Sequence, residues 1–206
     1  MNEQQHEREP QQHESERSHE VEPRDGPWIY VASLSDYNAG ILHGRWIETC
    51  DDQEAMQEQI NEMLRASPTT ARDGDKAEEW AIHDFEGFGP LRLGEYESLN
   101  TIARLAAGIS EHGLAFAAWA DDLGITEADQ LDRFEELYRG EWDSAEDYAE
   151  QLLDDMGATT AIDELPEWLQ CYVELDVAGF ARDLQIGGDI TVADKPEGGV
   201  WIWDNN

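Results

Sequence analysis

The chain has 206 residues, with 48 Asp and Glu against 13 Lys and Arg, a formal net charge of −35. A field of that sign repels nucleic acid and anionic membrane and attracts basic surfaces, so neither direct nucleic-acid binding nor a membrane partner is expected. Eight Trp, six Tyr and five Phe place the acidity on a folded body, since disordered acidic tails are poor in aromatics.

Residues 1–27 are the exception. They hold eight acids, three Arg and three His, with Val21 as the only aliphatic after Met1, and read as a disordered leader. The leader has no apolar stretch and is not a signal peptide. Trp28–Leu34 is rich in strand formers, Asp36–Gly40 reads as a turn, and Leu42–Glu48 as the hairpin partner, weakened by Gly44 and Arg45. Asp51–Ala66 carries Ala55, Met56, Ile60, Met63 and Leu64 at helical spacing. Ser67–Lys76 is predicted as a polar loop and Glu79–Phe85 as a third strand, giving a small sheet with one helix.

The middle reads as three helices over Ser98–Gly108, Leu114–Leu123 and Ala128–Leu137. Gly124 is placed to end the second and Thr126 to cap the third. Asp143 with Glu146 predicts a reciprocal cap for a helix running to Met156. Pro166 suits the first turn of a short helix over Trp168, Leu169 and Tyr172, and Asp176 caps another through Phe180 and Leu184. Asp189–Ala193 and Val200–Trp203 close the chain as a hairpin. No apolar run approaches the length of a membrane span; the longest is Ala115–Ala120. Cys50 and Cys171 lack metal or redox spacing and read as small buried hydrophobes. Two isolated thiols and no export signal point to the cytoplasm.

The charge is uneven. Residues 121–176 hold 19 acids and 2 bases, whereas residues 100–120 hold one of each. Because helices space side chains regularly, acids there can form rows on a solvated face. The body after residue 27 carries 40 acids and 10 bases. At one charge per ~1.7 Å of duplex axis, its net charge matches roughly 50 Å of DNA. A compact body of this length is only about 40 Å across, so display at DNA density calls for elongation or end-to-end pairing.

Charge alone leaves three readings: a solvated or salt-adapted surface, a mimic of nucleic acid, and a carboxylate site for a cation or for acid–base chemistry. The last is weak. Asp73-Gly74-Asp75 breaks a calcium-loop pattern early, and no zinc-protease, nucleophile-elbow or Walker motif is present. His83-Asp84 reads better as a hydrogen-bonded strand end than as a catalytic pair. Pairs such as Asp121-Asp122 and Asp154-Asp155 usually mark solvated faces, and His6, His13 and His19 lack a rigid frame for a metal. No cofactor or metal is expected.

Three blocks then carry a resemblance. Ile29–Leu34 with Tyr37-Asn38, Gly40, Gly44 and Trp46 resembles the opening of ArdA-type antirestriction proteins. Glu78–Glu86 resembles their next shared block. Leu165-Pro166, Leu169 and Tyr172 with Gly179–Leu184 fall within the stretch that the family shares as its antirestriction motif, here about Leu152–Leu184. The resemblance implies an acidic DNA mimic encoded on a mobile element, which occupies the DNA-binding cleft of type I restriction–modification enzymes. It also implies an elongated α+β chain of three small domains, about 28–97, 98–136 and 137–206, pairing into a homodimer with the motif near the junction. The leader and the long Arg65–Ala77 loop, with Arg65, Arg72 and Lys76, depart from the family pattern.

On this reading the protein is not an enzyme. Its phosphate mimics are Asp121, Asp122, Glu127, Asp129, Asp132, Glu135, Glu136, Glu141, Asp143, Glu146, Asp147, Glu150, Asp154 and Asp155. Their partners are the Lys and Arg of the enzyme's methyltransferase core. Leu165, Trp168, Leu169, Tyr172 and Phe180 are expected to be core or dimer contacts. The alternative is an acidic chaperone-like or salt-adapted interaction protein without DNA mimicry.

Overall fold

A computed structural model of the chain describes residues 26–124 and 130–205. Most of the leader, the start of the third middle helix with Thr126, and the candidate acids Glu127 and Asp129 lie outside the described residues. The fold is mixed α+β, with two three-stranded antiparallel sheets.

The first sheet has the order β2-β1-β3, built from β1 (Trp28–Ser33), β2 (Gly44–Glu48) and β3 (Trp80–Glu86). Gly44, which weakened the strand reading, is required there: a Cβ would lie 2.6 Å from the Tyr30 ring across the ladder. The predicted turn at Asp36–Gly40 is instead a short helix, α1 (Leu34–Asn38), with Ser33 as its N-cap accepting from the Asp36 N–H. Helix α2 (Gln53–Arg65) follows, capped by Asp52 and burying Met56, Ile60, Met63 and Leu64. The predicted loop Ser67–Lys76 contains α3 (Pro68–Asp73), where Ser67 caps and Pro68 occupies the first turn.

Helices α4 (Leu99–His112) and α5 (Leu114–Leu123) lie where the periodicity places them, and Gly124 ends α5 with φ 74°. Of the third middle helix, the described residues form a 3-10 turn over 130–133 and then α6 (Phe134–Leu137). Directly after it comes a strand absent from the sequence reading, β4 (Tyr138–Trp142). Its Tyr-Arg-Gly-Glu-Trp run does alternate, half-buried Tyr138, Gly140 and Trp142 against exposed Arg139 and Glu141, but five residues with a central glycine make a weak signal. The C-terminal hairpin of β5 (Ile190–Asp194) and β6 (Val200–Asp204) therefore becomes a sheet of order β4-β6-β5.

Against these strands lie α7 (Ala145–Asp155) and α10 (Val177–Gly187), with α8 (Ala158–Asp163) packed on α7 and α9 (Glu167–Gln170) on α8. The cap of α7 is Ser144, not Asp143: its hydroxyl accepts the Asp147 N–H at 3.1 Å and donates to the Asp147 carboxylate. Pro166 sits one position earlier than expected, as the cap of α9, and Asp176 caps α10 as predicted.

The largest buried cluster runs from Ile29, Val31 and Ile47 through α2, α4 and α5 to Phe134 and Leu137, and takes in Trp201 and Trp203. Val200 and Ile202 join a second cluster with Tyr148 and Ile190. Strand β6 is thus buried on both faces, which is why Val-Trp-Ile-Trp is apolar at every position. Ala145, Ala149 and Ala181 form the contact between α7 and α10. Cys50 is half-buried and Cys171 exposed, so neither is the buried hydrophobe expected.

Candidate functional site

Helix α7 shows most clearly how the sequence builds an acidic face. Ala145, Tyr148 and Ala149 turn inward, and the 3.6-residue period turns Glu146, Asp147, Glu150, Asp154 and Asp155 to solvent. At 1.5 Å per residue these five carboxylates span about 14 Å of axis, one per roughly 3 Å. A single DNA strand carries one charge per about 3.4 Å. Among the described residues, none of the five forms an ion pair with Lys or Arg. Two are held by neutral groups: Asp147 by the Ser144 hydroxyl and Asp155 by the Gln151 amide at 2.9 Å.

The other described candidates are exposed as well: Asp121, Asp122, Asp132, Glu135, Glu136, Glu141 and Asp143. They differ in neutralisation. Asp132 pairs with Arg104 at 2.5 Å and Glu136 with Arg133 at 3.8 Å. Glu141 accepts from both Lys195 and the Trp201 indole, and these bonds, with the Lys195 charge, hold its carboxyl below the usual range. Asp122 accepts from the Trp203 indole at 3.4 Å. Asp122 and Glu141 thus fasten α5 and β4 to the β6 strand as well as presenting charge.

Three acids of the α2–α3 segment are handled differently. On α2, Glu58 pairs with Arg65 and Glu62 with Arg45, and in the following segment Asp73 pairs with Arg72. Arg65 and Arg72, two of the three positive charges of the long loop, are therefore matched by nearby acids, whereas Lys76 is not, among the described residues.

Of the five motif hydrophobes, none lies in a buried cluster. Trp168 and Tyr172 are 70% and 79% exposed, so they are not core residues. Leu165, Leu169 and Phe180 are half-buried, Phe180 against the α7–α10 contact.

His83 and Asp84 do not form a pair: the His83 ring packs edge-on against Tyr37, and Asp84 accepts the Phe85 N–H at 2.8 Å. One group able to hold a metal ion is found among the described residues, and the sequence reading missed it. Glu111, His112 and Glu135 bring one ligand atom each within 4.8 Å of the others. His112 is already engaged there, its ring packed against Phe134 and Phe116. Residues far apart in sequence meet at that point, so no local spacing could reveal it. No described helix is long and apolar enough to cross a membrane.

A mixed α+β scaffold that carries rows of unpaired carboxylates on an exposed helix defines an acidic, surface-presenting protein. The chain belongs to the ArdA family of antirestriction proteins, whose model matches residues 29–196. The matched span includes all of α7 and the whole Leu152–Leu184 stretch. A comparison with curated proteins gives no match.

Proposed function

We propose that the protein mimics B-form DNA and inhibits type I restriction–modification enzymes by occupying the DNA-binding cleft of the methyltransferase core. The observation that carries this is the α7 face: five exposed carboxylates at the linear charge density of one DNA strand, with no Lys or Arg paired to them among the described residues. Duplex binding draws largely on phosphate contacts and counterion release, so a surface of this kind competes without presenting bases. Asp121, Asp122, Glu135 and Asp143 extend the surface, and Glu127 and Asp129 belong to it by sequence. Asp132, Glu136 and Glu141 contribute less, because a cation already sits on each.

Changes of element type near residues 98 and 137 support three units over 28–97, 98–136 and 137–206, although buried side chains run continuously between them. Exposure of Trp168 and Tyr172 supports a homodimer that covers the motif. Action on a restriction enzyme places the protein in the cytoplasm.

The test is competition. The protein is titrated into a type I methyltransferase core bound to labelled duplex, at low and at physiological salt. Stoichiometric displacement that weakens as salt rises is the expected outcome. No displacement at low salt by folded protein, repeated over several type I enzymes, favours the chaperone-like or salt-adapted reading. The uneven neutralisation of α2 and α7 argues against a purely salt-adapted surface.

A further inference from the structure

The first sheet carries a surface that the proposed mimicry does not use. Three depressions of about 570, 400 and 280 Å³ share Tyr96; Leu34 joins the first to the second and Trp80 the second to the third. They form one groove beside β3, whose length from Trp80 to Phe85 is about 17 Å, room for some five extended residues. Tyr96 and Tyr37 stand in it 73% and 53% exposed. Tyr37 is fixed by an edge-on contact with His83, ring centroids 4.9 Å apart. Leu34, Ile82 and Leu93 supply apolar lining.

The rim is acidic. Glu95 borders the first depression, Glu78 and Glu79 the second, and Glu97 the third. None of the four forms an ion pair with Lys or Arg among the described residues, and neighbouring Lys76 and Arg92 are not engaged with them. Exposed aromatic faces beside free carboxylates complement a cation that is flat and weakly hydrated. Guanidinium fits both: it stacks on tyrosine and pairs with carboxylates through two parallel N–H bonds. An ammonium group is also drawn to a ring face, but it is more strongly hydrated, cannot lie flat on the ring and cannot form the paired N–H bonds.

We propose that this groove binds an extended, arginine-bearing segment of a partner protein, its guanidinium groups stacked on Tyr96 and Tyr37 and paired with Glu78, Glu79 and Glu95. The apolar lining takes the aliphatic stems, so the groove selects a peptide over a bare polycation.

Because a chain of this net charge attracts any cation, the test must separate recognition from bulk attraction. A labelled nonapeptide with arginine at alternate positions is titrated by fluorescence anisotropy into the full chain at about 0.15 M salt. The double variant Tyr37→Ala/Tyr96→Ala leaves the charge unchanged and is expected to weaken binding about tenfold. Glu78→Gln/Glu79→Gln weakens it comparably. Glu146→Gln/Glu150→Gln on α7 removes the same charge and changes it less than about twofold, with circular dichroism confirming that all variants fold. The proposal is overturned if the tyrosine variant binds undiminished, if the α7 variant loses as much, or if a lysine peptide or spermidine binds as tightly. DNA displacement is measured on the same variants. Loss of peptide binding with displacement intact separates the two proposals, so either can fail alone.

Discussion

Asp36 is the one carboxylate among the described residues that the fold takes fully out of water. Burial alone would raise its pKa. The Ser33, Thr69 and Ser67 hydroxyls gathered around it, with the Thr69 backbone N–H, outweigh burial and hold the carboxyl far below the usual range. The Thr69 N–H donates to Oδ1 at 2.8 Å. The Thr69 hydroxyl is near enough to act on the charge, yet neither it nor Asp36 Oδ2 has a well-formed bond. A folded-state pKa below the unfolded value of about 3.9 stabilises the protein above that pH, and the stability is lost as pH falls through and below it. Asp36→Asn is expected to cost about 2 kcal/mol at neutral pH in urea unfolding and to flatten the loss of stability on acidification. Gly108 makes a second residue-scale case. A Cβ there would lie 2.2 Å from the Phe116 ring. Gly108→Ala should therefore destabilise by about 1–3 kcal/mol, against the gain that alanine normally brings to a helix. A rise in the urea midpoint would refute that packing.

At the scale of elements, α7 combines a cap, a buried stripe and an acidic face in eleven residues. Charge spread over many carboxylates makes each one weak. Any single Asp→Asn or Glu→Gln change there should be nearly silent in DNA competition. The triple change Glu146→Gln/Glu150→Gln/Asp154→Asn should weaken inhibition and lower the slope of log affinity against log salt by about 2–3, near 0.9 for each phosphate replaced. One single substitution that abolished inhibition would show a focused site instead. The short helices α1 and α3 had signals that could have been read: Ser33 stands three residues before Asp36, and Ser67 directly precedes Pro68. Turn-forming residues around both, Asn38 ending α1, Gly40 just beyond it and Gly74 after α3, mask these signals.

At the scale of the whole molecule, β6 is the joint. Trp201 and Trp203 enter the main buried cluster, while Val200 and Ile202 face α7 and β5. With Arg139 paired to Asp204 at 2.5 Å and Asp122 bonded to Trp203, the acids of α5 and α7 are carried on one packed frame. The exposed Trp168 and Tyr172 lie outside that frame's core. Trp168→Ala/Tyr172→Ala is expected to leave thermal unfolding of the chain nearly unchanged and to shift sedimentation from dimer to monomer at micromolar concentration. Unchanged sedimentation of the double variant would remove these two residues from the interface.

The sequence by itself determined the sign and clustering of the charge, the α+β class, the family, and most of the longer helices and strands. Those properties are local or additive: net charge sums residues, and periodicity needs only a few turns of chain. The tertiary structure decided which acids are free. Glu62 is countered by an Arg45 that the fold brings alongside from β2, Asp132 by an Arg104 that is 28 residues away, and the α7 acids by none among the described residues. It also decided that β4 completes the second sheet, because a short mixed strand gains its stability from the β6 backbone it pairs with and not from its own composition.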